Sequence, residues 1–268
     1  MIEDKIRLME QSRLELAKRL NFFDGGIWLG QPEGFPVAVP LIRNHLDEVL
    51  EKRLITGGLL SHWRGKTVSA QEGNEALSQA LKAKSENLFA VWTGLPLFPA
   101  ESGLLPESAG VKEKVRGVRI FPRSHNFVLE AWCIGSLCEW LVGRRMPLFI
   151  WHTELDWACL YALAKAFPAL RIVVETQVQK ILYQTRPLFA LMRDCPNLFL
   201  ELSNLVGSGF IEYAVRQFRA SRLIFASFIP VNDPLVPMGM ILDAKISEQE
   251  KFLIAGENLR WFINEVRL

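Results

Sequence analysis

Residues 147–152, PLFIWH, followed by WACLYALAKAF (157–167) and LRIVVET (170–176), decide the fold. Two short apolar runs flank one helical segment, which is a strand–helix–strand unit. Neither run alternates strictly between apolar and polar residues. Parallel strands buried on both faces read this way. Working outward, VRGVRIFP (115–122) and VLEAWCIGSLCEWLVGRR (128–145) form a strand and helix before this unit. After it come ILYQTRPLFALMRDC (181–195), a helix interrupted by Pro187, then NLFLELS (197–203), FIEYAVRQFRA (210–220) and RLIFASFIP (222–230). Toward the start lie an amphipathic helix over residues 2–20 and a strand in NFFDGGIWLG (21–30). A helix in LIRNHLDEVLEKRL (41–54) and a strand in ITGGLLSHW (55–63) follow. SAQEGNEALSQALKAKS (69–85) is a helix opened by Ser69, and NLFAVWTGLPLF (87–98) is a third strand. A loop with a helical turn around Ala109–Val115 precedes the fourth strand, and one or two helices close the chain from Leu235 to Leu268.

Eight strands therefore alternate with helices from end to end. The pattern predicts one α/β domain over residues 1–268, a (β/α)8 TIM barrel with an extra N-terminal helix. A doubly wound open sheet is the alternative. The extra helix either closes the bottom of the barrel or supports a dimer contact.

The composition narrows the function. Lys+Arg 31 against Asp+Glu 29 gives 31 − 29 = +2, and the two signs are interleaved along the chain. That balance argues against a nucleic-acid partner. The first twenty residues carry charge in every turn, and no run approaches the length of a membrane span, so neither a secretory leader nor a membrane partner is expected. Cys133, Cys138, Cys159 and Cys195 form no C-x-x-C pair and read as reduced thiols of a cytoplasmic protein. A homodimer is the expected assembly, symmetric dimers being common.

In such barrels chemistry sits at the C-terminal strand ends. That rule selects His62, Trp63 and Arg64 after strand two, and Trp92 and Thr93 after strand three. It selects Arg119, Ser124 and His125 from strand four, and Trp151, His152 and Glu154 from strand five. Glu175 and Thr176, Glu201 and Ser203, and Ser227 and Asp233 complete the rim, with Trp28 and Gln31 from strand one. Of the four histidines only His45 falls inside a helix. Each rim histidine is either functional or bonded to a backbone carbonyl. Arg119 either clamps a substrate carboxylate or carbonyl, or pairs internally with Glu175 or Glu201. Glu201 either faces the barrel mouth or partners a cation. Trp28, Trp63, Trp92 and Trp151 either line an apolar substrate pocket or pack as core.

Several motifs fail. RGKT (64–67) mimics the end of a phosphate loop, but Leu60 stands where its first glycine belongs. G-x-G-x-x-G after a strand, G-x-S-x-G and H-E-x-x-H are absent from the sequence.

Four stretches resemble the amidohydrolase-related superfamily of metal-dependent TIM-barrel hydrolases. FFDGGIWLG (22–30) stands where that family reads Asp-x-His-x-His. GVRIFP and PLFIWH resemble its fourth and fifth strands, and FPALRIVVET and CPNLFLELS its sixth and seventh. RLIFASFIP, then SEQEKFLIAGENLRWFI with Asn258, resembles its closing strand and Asn-containing helix. By that resemblance the first two metal histidines fall on Gly26 and Trp28, the sixth-strand histidine on Thr176 or its neighbour, and the eighth-strand aspartate on Phe228. His152 alone matches a ligand position. Side chains of Gly, Trp and Phe offer no lone pair to zinc, and a catalytic zinc needs about three protein ligands. The resemblance therefore implies a barrel whose standard divalent metal site is lost.

Two readings follow. In the first, the protein is a hydrolase or lyase acting on a small carbonyl-containing substrate. His152 is then the base and Arg119 the clamp, with His62, His125, Glu175, Glu201 and Trp92 binding substrate. A zinc site rebuilt from His62, His125 and His152 with Glu175 or Glu201 is its variant. In the second, the protein is a catalytically silent relative that binds a small molecule or serves as a scaffold, its mouth filled by tryptophans. A cavity among His152, Arg119 and Glu201 separates the first from the second.

Overall fold

The computed structural model describes residues 2–35, 40–82, 86–96, 113–177, 179 and 181–268. Most of the helical turn expected around Ala109–Val115 lies outside the described residues. Eight parallel strands form one sheet in chain order: β1 (Phe22–Leu29), β2 (Ile55–His62), β3 (Leu88–Thr93), β4 (Val115–Ile120), β5 (Leu148–Trp151), β6 (Ile172–Glu175), β7 (Leu198–Glu201) and β8 (Leu223–Ile224). The last strand is only two residues long, and the seam back to β1 is made beyond it. Gly25 N–H donates to the Phe225 carbonyl at 3.0 Å, and Trp28 N–H to the Ile229 carbonyl at 2.9 Å. These bonds close the (β/α)8 barrel.

The helices are α1 (Ile2–Leu20), α2 (Arg43–Lys52), α3 (Arg64–Thr67), α4 (Ala70–Leu81), α5 (Ala131–Gly143), α6 (Trp157–Ala166), α7 (Thr185–Asp194), α8 (Phe210–Phe218), α9 (Leu235–Asp243), α10 (Glu248–Phe252) and α11 (Asn258–Glu265). Local chemistry explains their starts. Ser69 accepts from Glu72 N–H at 3.1 Å, and Asp156 accepts from Ala158 and Cys159 N–H at 2.9 and 3.1 Å. Each satisfies orphan donors of a first turn. Ser247 and Glu250 form a reciprocal capping box. Pro187 does not interrupt a helix. It sits in the first turn of α7, where its missing N–H leaves no hydrogen bond unmade.

Strand residues alternate between two apolar layers. Leu88, Ala90, Trp92, Leu148 and Ile150 point outward into the cluster shared with the helices, among them Leu137 and Leu160. Phe23, Leu59, Val91, Phe149, Val173, Phe199 and Ile224 point into the barrel. Leu259, Phe262 and Ile263 of α11 join that inner layer, and Phe262 meets Phe199 edge-on at 4.6 Å. The C-terminal helix thus stoppers the bottom of the barrel. Asn258 anchors it by donating to the Ala220 and Leu223 carbonyls, both at 2.8 Å. The barrel floor is filled by the C-terminal helix and not, among the described residues, by the N-terminal one. The latter packs beside α9, through Arg13–Asp243 and, toward α10, Arg19–Glu248, both at 2.9 Å. Among the described residues no helix is long and apolar enough to cross a membrane.

Candidate functional site

The alternation that turns Val118 outward turns Arg119 inward, where it is 1 % exposed. Its Nε and Nη2 donate to Glu175 Oε2 and Oε1 at 2.8 and 2.6 Å, and its Nη1 donates to Ser61 Oγ. The guanidinium lies 4.6 Å from the Trp28 ring centroid. Glu175 Oε1 also accepts from Gln177 Nε2 at 2.7 Å, and Gln177 Oε1 accepts from Trp28 Nε1 at 2.6 Å. A buried chain Ser61–Arg119–Glu175–Gln177–Trp28 thus ties β2, β4 and β6 to β1. Burial pushes the Glu175 carboxyl upward, and the twice-bonded guanidinium opposes it. Of the two roles open to Arg119, the internal ion pair is the one found. The forked geometry leaves it little capacity to clamp a second carboxylate.

Glu201 lies one strand further round and is also buried. It accepts from Thr176 N–H at 2.7 Å and from its own neighbour Ser203 N–H. No cation bonds it among the described residues. Burial, reinforced by the negative Glu175, pushes it up to about 8. Asp24 repeats the arrangement at the barrel seam. It accepts from Gly26 N–H and Ser227 N–H, both at 2.8 Å, and from Ser227 Oγ–H. Burial raises it to about 6, against those three hydrogen bonds.

Above this polar layer the mouth is packed with rings. Trp28, Trp63, Phe121, Trp151 and Phe228 are at most 2 % exposed and form one cluster, joined by Phe35 and Val231. Trp28 lies 5.0 Å from Trp63 and 5.1 Å from Trp151, centroid to centroid. Trp63 Nε1, Trp151 Nε1 and His125 Nδ1 are buried without a hydrogen-bond partner. Lys66 stands 5.7 Å from the Trp151 ring and 3.9 and 3.8 Å from Glu154 and Glu33.

The rim histidines are held apart by separate duties. His62 Nδ1 accepts from Arg64 N–H at 3.2 Å, opening α3. Its ring fills space that Gly30 leaves free, since a Cβ there would meet His62 Cε1 at 2.8 Å. Burial and the nearby Arg64 lower it to about 4. His125 Nε2 meets the Lys66 carbonyl and His152 Nδ1 the Glu175 carbonyl, each at 3.2 Å. Burial lowers both, so both are neutral near pH 7. Trp92, expected at the mouth, faces the helix layer instead, because its phase along β3 is opposite to that of Val91.

The donor set does not fit the divalent metal of the family the sequence resembles. Among the described residues no three His, Cys, Asp or Glu side chains gather to hold an ion. The strand-one positions are closed to ligands: a Cβ on Gly26 would already meet Gln177 Nε2 at 3.0 Å and Ala226 Cβ at 3.1 Å. Trp28 fills the other, and a guanidinium occupies the interior below it, where a second cation would be repelled.

Sequence reading missed Ser61, Gln177, Lys66 and the role of Asp24. Ser61 was within reach, being two residues beyond the inward Leu59. Gln177 and Lys66 act from loop and short-helix positions whose direction no strand period fixes.

No protein-family model matches the chain, and no curated protein does. Solved structures do. A 5-carboxyvanillate decarboxylase from Sphingomonas paucimobilis superposes with TM-score 0.70 at 13% identity, over 91% of this chain and 99% of that one. A manganese-bound dihydroxybenzoic acid decarboxylase from Polaromonas gives 0.71 at 12%, over 91% and 97%. A zinc-bound amidohydrolase from Burkholderia multivorans gives 0.68 at 14%, over 91% and 99%. The fold of this chain is the (β/α)8 barrel that these amidohydrolases and decarboxylases share.

Proposed function

We propose that this chain is a divergent amidohydrolase-type barrel that works without the superfamily's divalent metal and binds a small carbonyl- or carboxylate-bearing molecule at its C-terminal face. The observation that carries the reading is the buried Arg119–Glu175 pair beneath the ring cluster. It supplies a fixed positive charge inside the barrel and neutralises it within the protein, so the interior is complete without an ion. The partnerless Trp63 and Trp151 N–H groups support the ligand. Buried donors are almost always satisfied, and an acceptor oxygen at the mouth would satisfy these.

Purified protein from zinc- and manganese-supplemented cultures should contain neither metal stoichiometrically; a stoichiometric ion sinks the metal-free part. Small carboxylic acids and esters should raise the melting temperature of the protein. Trp63→Phe and Trp151→Phe keep the rings, remove the donors, and should abolish that rise. A panel that stabilises the variants as well as the parent removes the ligand part.

A hydrolase or lyase is the second reading, favoured by Glu201. A buried carboxyl pushed to about 8 is protonated at neutral pH and is a proton source. Consumption of a stabilising compound, lost in Glu201→Gln, would establish it over the binding reading.

A further inference from the structure

The outer helix layer carries a charged face that this chain does not balance. On α7, Arg186, Phe189 and Arg193 stand at i, i+3 and i+7, so they share one stripe along the helix. On α8, Tyr213 and Arg216 stand at i and i+3. The two stripes meet. The Phe189 and Tyr213 rings stack with centroids 5.2 Å apart at 27°, and the Arg216 guanidinium lies 5.8 Å from the Tyr213 centroid. All three arginines and Tyr213 are exposed, and Phe189 is half-buried.

The acids of these two helices are engaged elsewhere. Asp194 Oδ2 pairs with Lys165 Nζ at 3.0 Å, and Glu212 Oε1 accepts from the Lys245 N–H at 2.8 Å. Among the described residues none of Arg186, Arg193 and Arg216 forms an ion pair, whereas Arg13, Arg19 and Arg64, also exposed, each meet a carboxylate, at 2.9, 2.9 and 3.1 Å. The face therefore sets three unpaired positive charges around an aromatic pair that solvent reaches. Arginine and tyrosine together are enriched where proteins dock: the planar fork matches a carboxylate, and the ring takes an apolar side chain. Three charges are few for a nucleic acid, whose hold rests on many phosphate contacts.

We propose that this face docks an acidic segment of a partner protein, with its carboxylates on Arg186, Arg193 and Arg216 and an apolar side chain between them on the Phe189–Tyr213 stack. The face belongs to the outer helices and is independent of what binds at the mouth.

Fluorescence anisotropy tests it, with the whole protein titrated into a short labelled peptide of glutamates flanking one phenylalanine. Weak binding that added salt reduces is expected. Arg186→Gln, Arg193→Gln and Arg216→Gln should each weaken it about two- to fivefold, the fold-change of one exposed ion pair, and the triple variant roughly tenfold or more. Arg7→Gln, which removes the same charge from α1, should leave it unchanged. Tyr213→Ala should weaken the phenylalanine peptide and spare its alanine analogue, which a general charge effect would not do. Far-ultraviolet circular dichroism shows that each variant is folded. The proposal is overturned if the glutamate peptide does not bind, if its lysine counterpart binds as well, or if binding is indifferent to the three arginines. It is also overturned if single-stranded RNA binds this face more tightly than the peptide, or if the parent self-associates and the triple variant does not, since the occupant is then a nucleic acid or a second copy.

Discussion

The β4–β6 side of the barrel interior and its β7–β1 side bury the same kind of group in opposite ways. Glu175 is held by a cation through two hydrogen bonds. Glu201 and Asp24, equally buried, are held by backbone N–H groups and by one hydroxyl each, Thr176 on Glu201 at 3.3 Å and Ser227 on Asp24. The consequence is electrostatic. One acid serves as half of a neutral pair, and the other two are pushed toward protonation. The interior therefore has one fixed ion pair and two acids whose charge the pH decides. A guanidinium takes one of the three buried acids, and hydrogen bonds from backbone and hydroxyl groups take the other two.

The sharpest way to break this comparison is to remove the cation. Arg119→Met leaves Glu175 buried without its partner beside Glu201, and breaking a buried pair from one side costs about 3–5 kcal/mol. Glu175→Leu, which strands the guanidinium, should cost as much. The double variant should recover most of the loss, because two apolar side chains of similar volume replace a pair whose desolvation nearly offsets its attraction. Urea unfolding measures all three. If the two single losses simply add in the double variant, the pair is not the unit described above.

The other side of the comparison responds to pH. Glu201 has a folded value of about 8 against an ordinary 4.5, so the folded state holds its proton more tightly than the unfolded chain does. Its contribution is then fully present below pH 4.5 and is lost as pH rises toward about 8. Asp24 adds a smaller fall between 3.8 and about 6. Between pH 6 and 8 the decline should belong to Glu201, amounting to a few kcal/mol, and Glu201→Gln should flatten it. A stability profile that stays level or rises across that window in the parent protein would contradict the assignment.

A steric test addresses the β1 side. At Gly26, a position the resemblance gives to a histidine, even a methyl group crowds Gln177 and Ala226. Gly26→Ala should cost about 2 kcal/mol by overpacking. It should do so by loosening the Gln177 bond to Glu175, so it should also couple with Arg119→Met in a double-variant cycle.

How much of this could be read from the sequence depends on how local each cause is. The barrel was legible because eight apolar runs recur with helices between them, and each run is short enough that only strands fit. That Gly26, Trp28 and Phe228 offer no ligand to a metal was legible because their side chains lack donors whatever the packing around them. The inward direction of Arg119 followed from its place near the end of a buried strand. The identity of its partner did not, since Glu175 and Glu201 lie in equivalent positions on adjacent strands and only the stagger between β4 and β6 chooses. Trp92 was misplaced for a related reason. NLFAVWT is apolar on both faces, so nothing in it marks which residues point inward. The duty of Asp24 appears only when Ser227, two hundred and three residues away, is brought beside it.

That last contact gives the finest test of the comparison. Ser227→Ala removes one of the three donors to Asp24 and leaves the Gly26 and Ser227 N–H groups in place. The direct loss should be about 1 kcal/mol, the worth of a single hydrogen bond. The second effect is more telling. The Ser227 hydroxyl is the strongest influence holding Asp24 down against burial, so without it the carboxyl should rise above about 6. A group already favouring its proton in the folded state then favours it over a wider range, and the fall in stability extends to higher pH. The gap between Ser227→Ala and the parent should therefore be wider at pH 7 than at pH 5. A gap independent of pH would mean that Asp24 is held by its backbone donors alone.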